Sequence, residues 1–322
     1  MQTGAKITAF AAALAAAFGA AYGVGQGLDP VVSEAEKPAG HSAPHEPGRE
    51  SPAASGHGEE PPGGLQVSEG GYTLDLETTR IDAGRPAELR FAVVEDRTGR
   101  KVTEYRREHD KELHLIVASR DLTEFRHLHP VRAADGTWST PVDLPEAGGY
   151  RVFADFVPEA TGEGVTLGTD LAVAGDAEPR PLPRPEATVT VDGYQVALTG
   201  RLRPGEPAEL TLTVTRDGRP VTDLQPYLGA YGHLVALRSG DLAYLHVHPN
   251  GEPGDGKTRP GPGISFTATA PSQGAYRLFL DFRHEGTVRT AAFTVTTDGA
   301  AAEPSGQRPE PGDSHAPDGH GH

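Results

Sequence analysis

The sequence predicts an all-β protein: two tandem immunoglobulin-like β-sandwich domains, preceded by an N-terminal signal or anchor helix and flanked by disordered tails. Three observations lead there. Short runs of alternating or β-branched residues recur along the chain, turn signals separate them, and the central region is an internal duplication. No amphipathic helix of useful length is legible outside the N-terminus.

Residues 1–25 read as a signal peptide or signal anchor. Lys6 precedes an uncharged run over residues 7–25, rich in Ala and Gly. A positive residue ahead of an apolar core is the pattern of export, and this run also has the length of a membrane-spanning helix. Cleaved signal and retained anchor both stay open. Either one places the rest of the chain outside the cytoplasm, secreted or held to the membrane by that helix.

Residues 26–64 and 299–322 have no hydrophobic periodicity and are expected to be disordered. The first is a His/Pro/Gly stalk carrying His41, His45 and His57, the second a tail ending in His315, His320 and His322. Only 36% of the whole chain is hydrophobic, with 41 Gly and 29 Pro, so part of it cannot bury enough apolar surface to fold. Histidines in such tracts either collect metal ions weakly or are ordinary solvated linker residues.

Between the tails, residues 65–175 and 188–298 form two sandwich repeats, joined by a linker over 176–187 whose four prolines favour a stiff, extended connector. Gly84-Arg-Pro-Ala-Glu-Leu89 answers Gly205-Glu-Pro-Ala-Glu-Leu210, and Tyr150-Arg-Val-Phe-Ala-Asp155-Phe156 answers Tyr276-Arg-Leu-Phe-Leu-Asp281-Phe282. A loop insertion in the Gly/Pro-rich stretch from Asn250 to Gly263 accounts for the shift in offset between these matches. Strands are expected at Tyr72–Thr78, Ala87–Val94, Leu210–Thr215 and Ala292–Thr296. Turns are expected at Asp96–Gly99, Asp135-Gly136, Glu146–Gly149 and Asp217-Gly218.

The third match carries the chemistry. His114 opens an apolar run that leads to His127-Leu-His129-Pro130, and His233 opens one that leads to His246-Val-His248-Pro249 at the same spacing. On a strand, residues i and i+2 share a face, so His127 and His129 project together, as do His246 and His248. An antiparallel return through Ser119–Glu124 brings His114 across from the pair, and the second repeat is expected to do likewise. Three converging imidazoles are a common set for divalent copper or zinc. The structural alternative is that these are hydrogen-bonded core or edge histidines, copied faithfully by the duplication.

Asp155 and Asp281 sit in otherwise apolar strands, where an unpaired carboxylate is costly to bury. Each is a candidate ligand, a partner that holds a ligand histidine from behind, or half of a salt bridge with Arg151 or Arg277. His109 and His284 have no counterpart in the other repeat and read as surface residues. Trp138 reads as part of the first repeat's core or its rim.

Composition removes several function classes. A net charge of −16 with no basic run argues against nucleic acid. The absence of cysteine removes thiolate chemistry, and with Met1 the only methionine, soft Cu(I) has no suitable ligand. No catalytic fingerprint is present: there is no Gly-x-Ser-x-Gly, no His-Glu-x-x-His, no phosphate loop and no dinucleotide motif.

With His-Leu-Ile-Val-x-Ser-x-Asp-Leu-x-x-Phe-x-His-Leu-His-Pro and Tyr-Arg-x-Phe-x-Asp-Phe in view, the chain resembles exported two-repeat β-sandwich proteins of high-GC bacteria, uncharacterised or labelled heavy-metal-binding. In character it is similar to YtkA-like domains and, more loosely, to periplasmic copper-resistance sandwiches. The resemblance implies an extracytoplasmic metal-related role, with His114, His127, His129, His233, His246 and His248 as its candidates. Copper-resistance sandwiches often add methionine sites for Cu(I), which this chain lacks. The expectation is therefore a non-enzymatic protein that buffers or delivers Cu(II) or Zn(II). Its alternative is a cell-surface structural or adhesion protein with structural histidines.

Overall fold

The computed structural model describes residues 62–245 and 247–297, and every regular element among them is a strand. The expected signal or anchor helix, nearly all of the stalk, the C-terminal tail and His246 lie outside the described residues.

The first repeat contains β1 (Ser68–Glu69), β2 (Tyr72–Leu76), β3 (Arg80–Asp82), β4 (Ala87–Glu95), β5 (Arg100–Lys101) and β6 (Tyr105–Arg106). It continues with β7 (Leu113–Ser119), β8 (Phe125–Leu128), β9 (Val131–Arg132), β10 (Thr137–Val142), β11 (Gly148–Pro158) and β12 (Val165–Ala174). One sheet runs β1-β2-β4-β10-β9 and the other β3-β12-β11-β7-β8, with β5 and β6 added at β4 and β11. Inward residues of both, among them Phe91, Leu115, Val117, Trp138 and Val152, form one core.

The second repeat contains β13 (Thr188–Val191), β14 (Tyr194–Gly200), β15 (Pro207–Arg216), β16 (Arg219–Pro220) and β17 (His233–Arg238). Then follow β18 (Val247–Pro249), β19 (Gly263–Thr269), β20 (Ala275–His284) and β21 (Thr287–Thr296). Its sheets run β13-β14-β15-β19-β18 and β17-β20-β21, around a core that includes Leu212, Leu234, Ala236, Phe266 and Leu278.

Both repeats close the turn before their longest hairpin in the same way. Tyr150 Oη donates to the carbonyl of Glu146 at 2.9 Å, and Tyr276 Oη to that of Ser272 at 2.7 Å. Register also survives the duplication: His114 pairs with Asp155 between β7 and β11, and His233 with Asp281 between β17 and β20.

A third apolar cluster joins the repeats. Ile116, Ala118, Leu122 and Phe153 from the first meet Val235, Leu237, Leu242 and Phe279 from the second. The ring of Phe125 stacks on Phe279 at 4.0 Å and 7°. Alternation explains how one strand serves two cores: on β7, Leu115 and Val117 face inward while His114, Ile116 and Ala118 face the other repeat. All seven residues of β7 are therefore buried, His114 and Ser119 included. Each large side chain in this layer contributes ~1.5–3 kcal/mol of transfer free energy.

Two connecting segments seal the same layer. The linker forms no strand, but Leu182 packs on the inter-repeat cluster and Arg180 N donates to Asp121 Oδ2 at 2.9 Å. At the other end, Gly64 N donates to Thr166 O at 2.7 Å and Gly63 O accepts from Tyr244 N at 2.9 Å. Gly63 and Gly64, ahead of residue 65, thus bridge the two repeats, Gly64 bonded to the first and Gly63 to the second.

Candidate metal centre

Local chemistry first fixes the β7–β8 hairpin. Asp121 accepts from Ser119 Oγ at 2.6 Å, Thr123 N at 3.1 Å and Thr123 Oγ1 at 2.8 Å, which turns the chain after Ser119. Register then sets Ile116 opposite His127, so that His114 lies diagonally across from His127 on the same face. The inter-repeat apolar layer ends here, and histidines take over.

The geometry of the pair is specific. His127 Nδ1 lies 2.8 Å from Asp281 Oδ2, and a carboxylate can only accept, so Nδ1 carries a hydrogen. His114 Nε2 lies 3.2 Å from the carbonyl oxygen of Glu108, so it too carries one. The remaining nitrogens, His114 Nδ1 and His127 Nε2, face each other at 3.2 Å. With both rings neutral, two lone pairs meet with no hydrogen between them. A proton or a metal ion between the two nitrogens would make this contact attractive.

The spacing suits a metal. Two nitrogens held at 2.0–2.1 Å on one tetrahedral ion stand roughly 3.3 Å apart. His129 supplies a third nitrogen: ligand atoms of His114, His127 and His129 lie within 4.8 Å of one another, and this group could hold a metal ion. The buried Nε2 of His129 has no hydrogen-bond partner among the described residues, a cost that coordination would remove. The outer N–H groups of His114 and His127 rest on a carbonyl and a carboxylate, the arrangement that orients metal-bound imidazoles.

Electrostatics favour the neutral form of His114 and His129, as ligation requires. Burial, followed by the neighbouring His127, pushes His114 down to about 3. Burial, then His127 and Lys111, pushes His129 down to about 4. His233 is also held well below its ordinary value, first by burial and then by the surrounding histidines.

The second repeat does not build its own copy from the described histidines. His233 joins the first repeat's cluster, its ring 5.4 Å from His114 at 12° and 4.7 Å from His127. His248 sits exposed on β18, which pairs with β19 in the opposite sheet, and lines the same cavity as His109, His114 and His233. The chain crosses between sheets earlier here than in the first repeat, where β8 stays beside β7 before β9 crosses over. His246 lies outside the described residues.

Several expectations need correction. Arg151 does not pair with Asp155: its Nη1 reaches Asp170 at 3.0 Å, while Nε and Nη2 hold the carbonyls of Gly64 and Leu65 at 2.9 and 2.8 Å. Arg277 does not pair with Asp281 either, and reaches Thr294 Oγ1 at 2.9 Å. Both arginines lie on the sheet face towards the other repeat but are drawn away by nearer acceptors. Asp155 instead accepts from Thr166 Oγ1 at 2.9 Å, and burial pushes it up to about 6. Asp281 accepts from its register partner Thr290 at 2.6 Å and from His127.

His109, expected on the surface, is half-buried with its ring 6.1 Å from His114 and 5.8 Å from His233. It is turned inward by a tight loop in which Glu108 and Lys111 pair and both His109 and Asp110 have positive φ. Nothing in its charged surroundings signals this. His284 is buried too, bonded to Tyr194 Oη at 2.8 Å and Asp223 Oδ1 at 3.0 Å, a structural network apart from the cluster. Trp138 is a core residue of the first repeat, as expected. A cavity of about 130 Å³ beside the cluster is lined by His109, His114, His233, Asp155 and Tyr244 among others.

A family model described as "Domain of unknown function (DUF8832)" matches residues 66–173 and again 188–299. No curated protein matches the chain. Among solved structures, the Escherichia coli adhesin FdeC is 16% identical, with 71% of this chain and 65% of that chain covered and a TM-score of 0.25. Yersinia pseudotuberculosis InvD is 13% identical, with 71% and 58% covered and a TM-score of 0.24. Domains 4 and 5 of the S-layer protein SbsC are 12% identical, with 72% and 98% covered and a TM-score of 0.21. The chain thus spans less than two thirds of the FdeC and InvD chains, and at these TM-scores the likenesses carry no argument about its function.

Proposed function

The chain belongs to the DUF8832 family, whose domain of unknown function it carries twice, and we propose that it is an exported, non-enzymatic protein binding divalent copper or zinc. The ion would sit on His114, His127 and His129, for buffering or delivery outside the membrane. The observation that carries this reading is the pair of facing nitrogens, His114 Nδ1 and His127 Nε2, 3.2 Å apart with both outer N–H groups already committed. Affinity order alone favours copper over zinc. Export rests on the uncharged run over residues 7–25, and anchoring on that run being retained.

The sheet orders β2-β4-β10-β9 and β3-β12-β11-β7-β8, with the two tyrosine hydroxyls bonded back to the preceding turn, support an immunoglobulin-like reading of the fold. Such a frame supplies rigid strands for a site. It carries no function of its own.

Metal analysis and calorimetry on the full chain test the reading, against a variant with His114→Ala, His127→Ala and His129→Ala. The parent is expected to bind one divalent ion more tightly than the variant. Equal binding by the two would end the proposal. One observation favours a second reading, in which a proton between the two rings closes the same hydrogen-bond chain with Asp281 as counter-charge. The histidines would then be a clamp in a cell-surface structural or adhesion protein. In that case the Ala changes lower the melting temperature by the same amount with and without chelator.

A further inference from the structure

The three candidate ligands belong to the first repeat, but their surroundings do not. Asp281 on β20 of the second repeat accepts from His127 at 2.8 Å, and its side chain is 4% exposed against 3% for that of His127. Thr290 donates to its other oxygen at 2.6 Å, and neither oxygen has a Lys or Arg partner among the described residues. A carboxylate so buried needs a nearby positive charge. The one place for that charge along its hydrogen bonds is beyond the His127 ring, at Nε2. His233, which opens β17 of the second repeat, meanwhile lies flat against the His114 ring.

We propose that the site is a metal staple between the repeats: an ion on His114, His127 and His129 is held in part by Asp281 acting through His127. Ion binding and docking of the second repeat are then one coupled equilibrium, with a single strong site per chain rather than one per repeat. This rests on the metal-binding reading above. Asp281 is a positioning residue, fixing the His127 ring so that Nε2 points to the ion, and His233 covers the rings from the same side.

The test uses the full chain and Cu(II) alone, with the triple-alanine variant as the measure of binding by the tails. The parent is expected to bind one equivalent beyond that variant. Asp281→Asn should weaken this equivalent about 10–100-fold, the usual effect of removing a carboxylate behind a ligand histidine. It should also alter the nitrogen hyperfine pattern in the Cu(II) EPR spectrum, which a loss of packing alone would not do. In the parent, Cu(II) should slow hydrogen exchange at β17 and β20, although no ligand lies on either strand.

Unchanged affinity and spectrum in Asp281→Asn would overturn the staple while leaving the metal site of the first repeat standing. So would protection confined to β7 and β8. If the parent binds no more than the triple variant, the metal reading falls and the staple with it. Should Asp281→Asn fail to fold, hydrogen exchange on the parent decides alone.

Discussion

His127 Nδ1 and Asp281 Oδ2 meet at 2.8 Å although their residues stand 154 positions apart, in different repeats. This contact closes a chain from the Glu108 carbonyl through His114 and His127 to Asp281 and Thr290. Its last two members belong to the second repeat, so the complete hydrogen-bond chain exists only where the two repeats are docked.

Replacing Asp281 with Ala leaves the His127 Nδ1–H buried without an acceptor. A stranded buried donor costs about 1–3 kcal/mol. Urea denaturation of metal-free protein should show a loss of that size. Stability equal to the parent would mean that His127 re-pairs elsewhere.

Docking itself is testable at Phe279, which is 3% exposed and stacked on Phe125. Phe279→Ala should cost about 3–5 kcal/mol, the range for truncating a buried aromatic. Because the lost contact lies between the repeats, the unfolding transition should also broaden or split. An undiminished, single transition would argue that the repeats are held by the strap and linker instead.

The strap ahead of residue 65 depends on Gly168. A Cβ there would come within 2.9 Å of the Gly64 carbonyl carbon and 2.8 Å of Arg151 Nε. The backbone cannot yield without breaking the bonds from Arg151 to Gly64 and Leu65. Gly168→Ala should therefore release the segment, seen as faster proteolysis near residue 62 and a loss of about 1–3 kcal/mol. Unchanged proteolysis would show that the strap has other anchors.

The pH dependence follows from the buried rings. His114 at about 3 and His129 at about 4 stay neutral in the folded chain, while unfolded histidine protonates below 6.5. His233 is shifted in the same direction. The unfolded state thus binds more protons over this range, and stability should rise with pH from about 4 to 6.5. Asp155 opposes this: raised to about 6 from 3.8, it keeps a proton in the folded state that the unfolded state gives up, so its contribution is lost as pH rises through that window. Three histidines outweigh one aspartate. Denaturation midpoints of metal-free protein should climb between about pH 4 and 6.5, and a flat or falling profile would contradict the burial of the rings.

Much of this was legible in the residues alone. Alternation predicts β4, β15 and β21, Asp and Gly mark their turns, and the matched segments reveal the duplication, because each of these depends on neighbours a few positions apart. The i, i+2 spacing likewise determines that His127 and His129 share a face. Local pattern does not reach further. Two copies of one motif suggested two sites, yet docking gathers His233 into the first cluster, and a different sheet crossing puts His248 on the opposite sheet, where it lines the cavity beside that cluster. Arg151 and Arg277 looked like partners for the aspartates because they share a strand. Their actual acceptors come from neighbouring strands and from a segment near residue 64. Which face meets which repeat is a matter of apolar surface matched across more than a hundred residues of chain. That matching occurs only in the folded molecule, and it decides what stands behind His127.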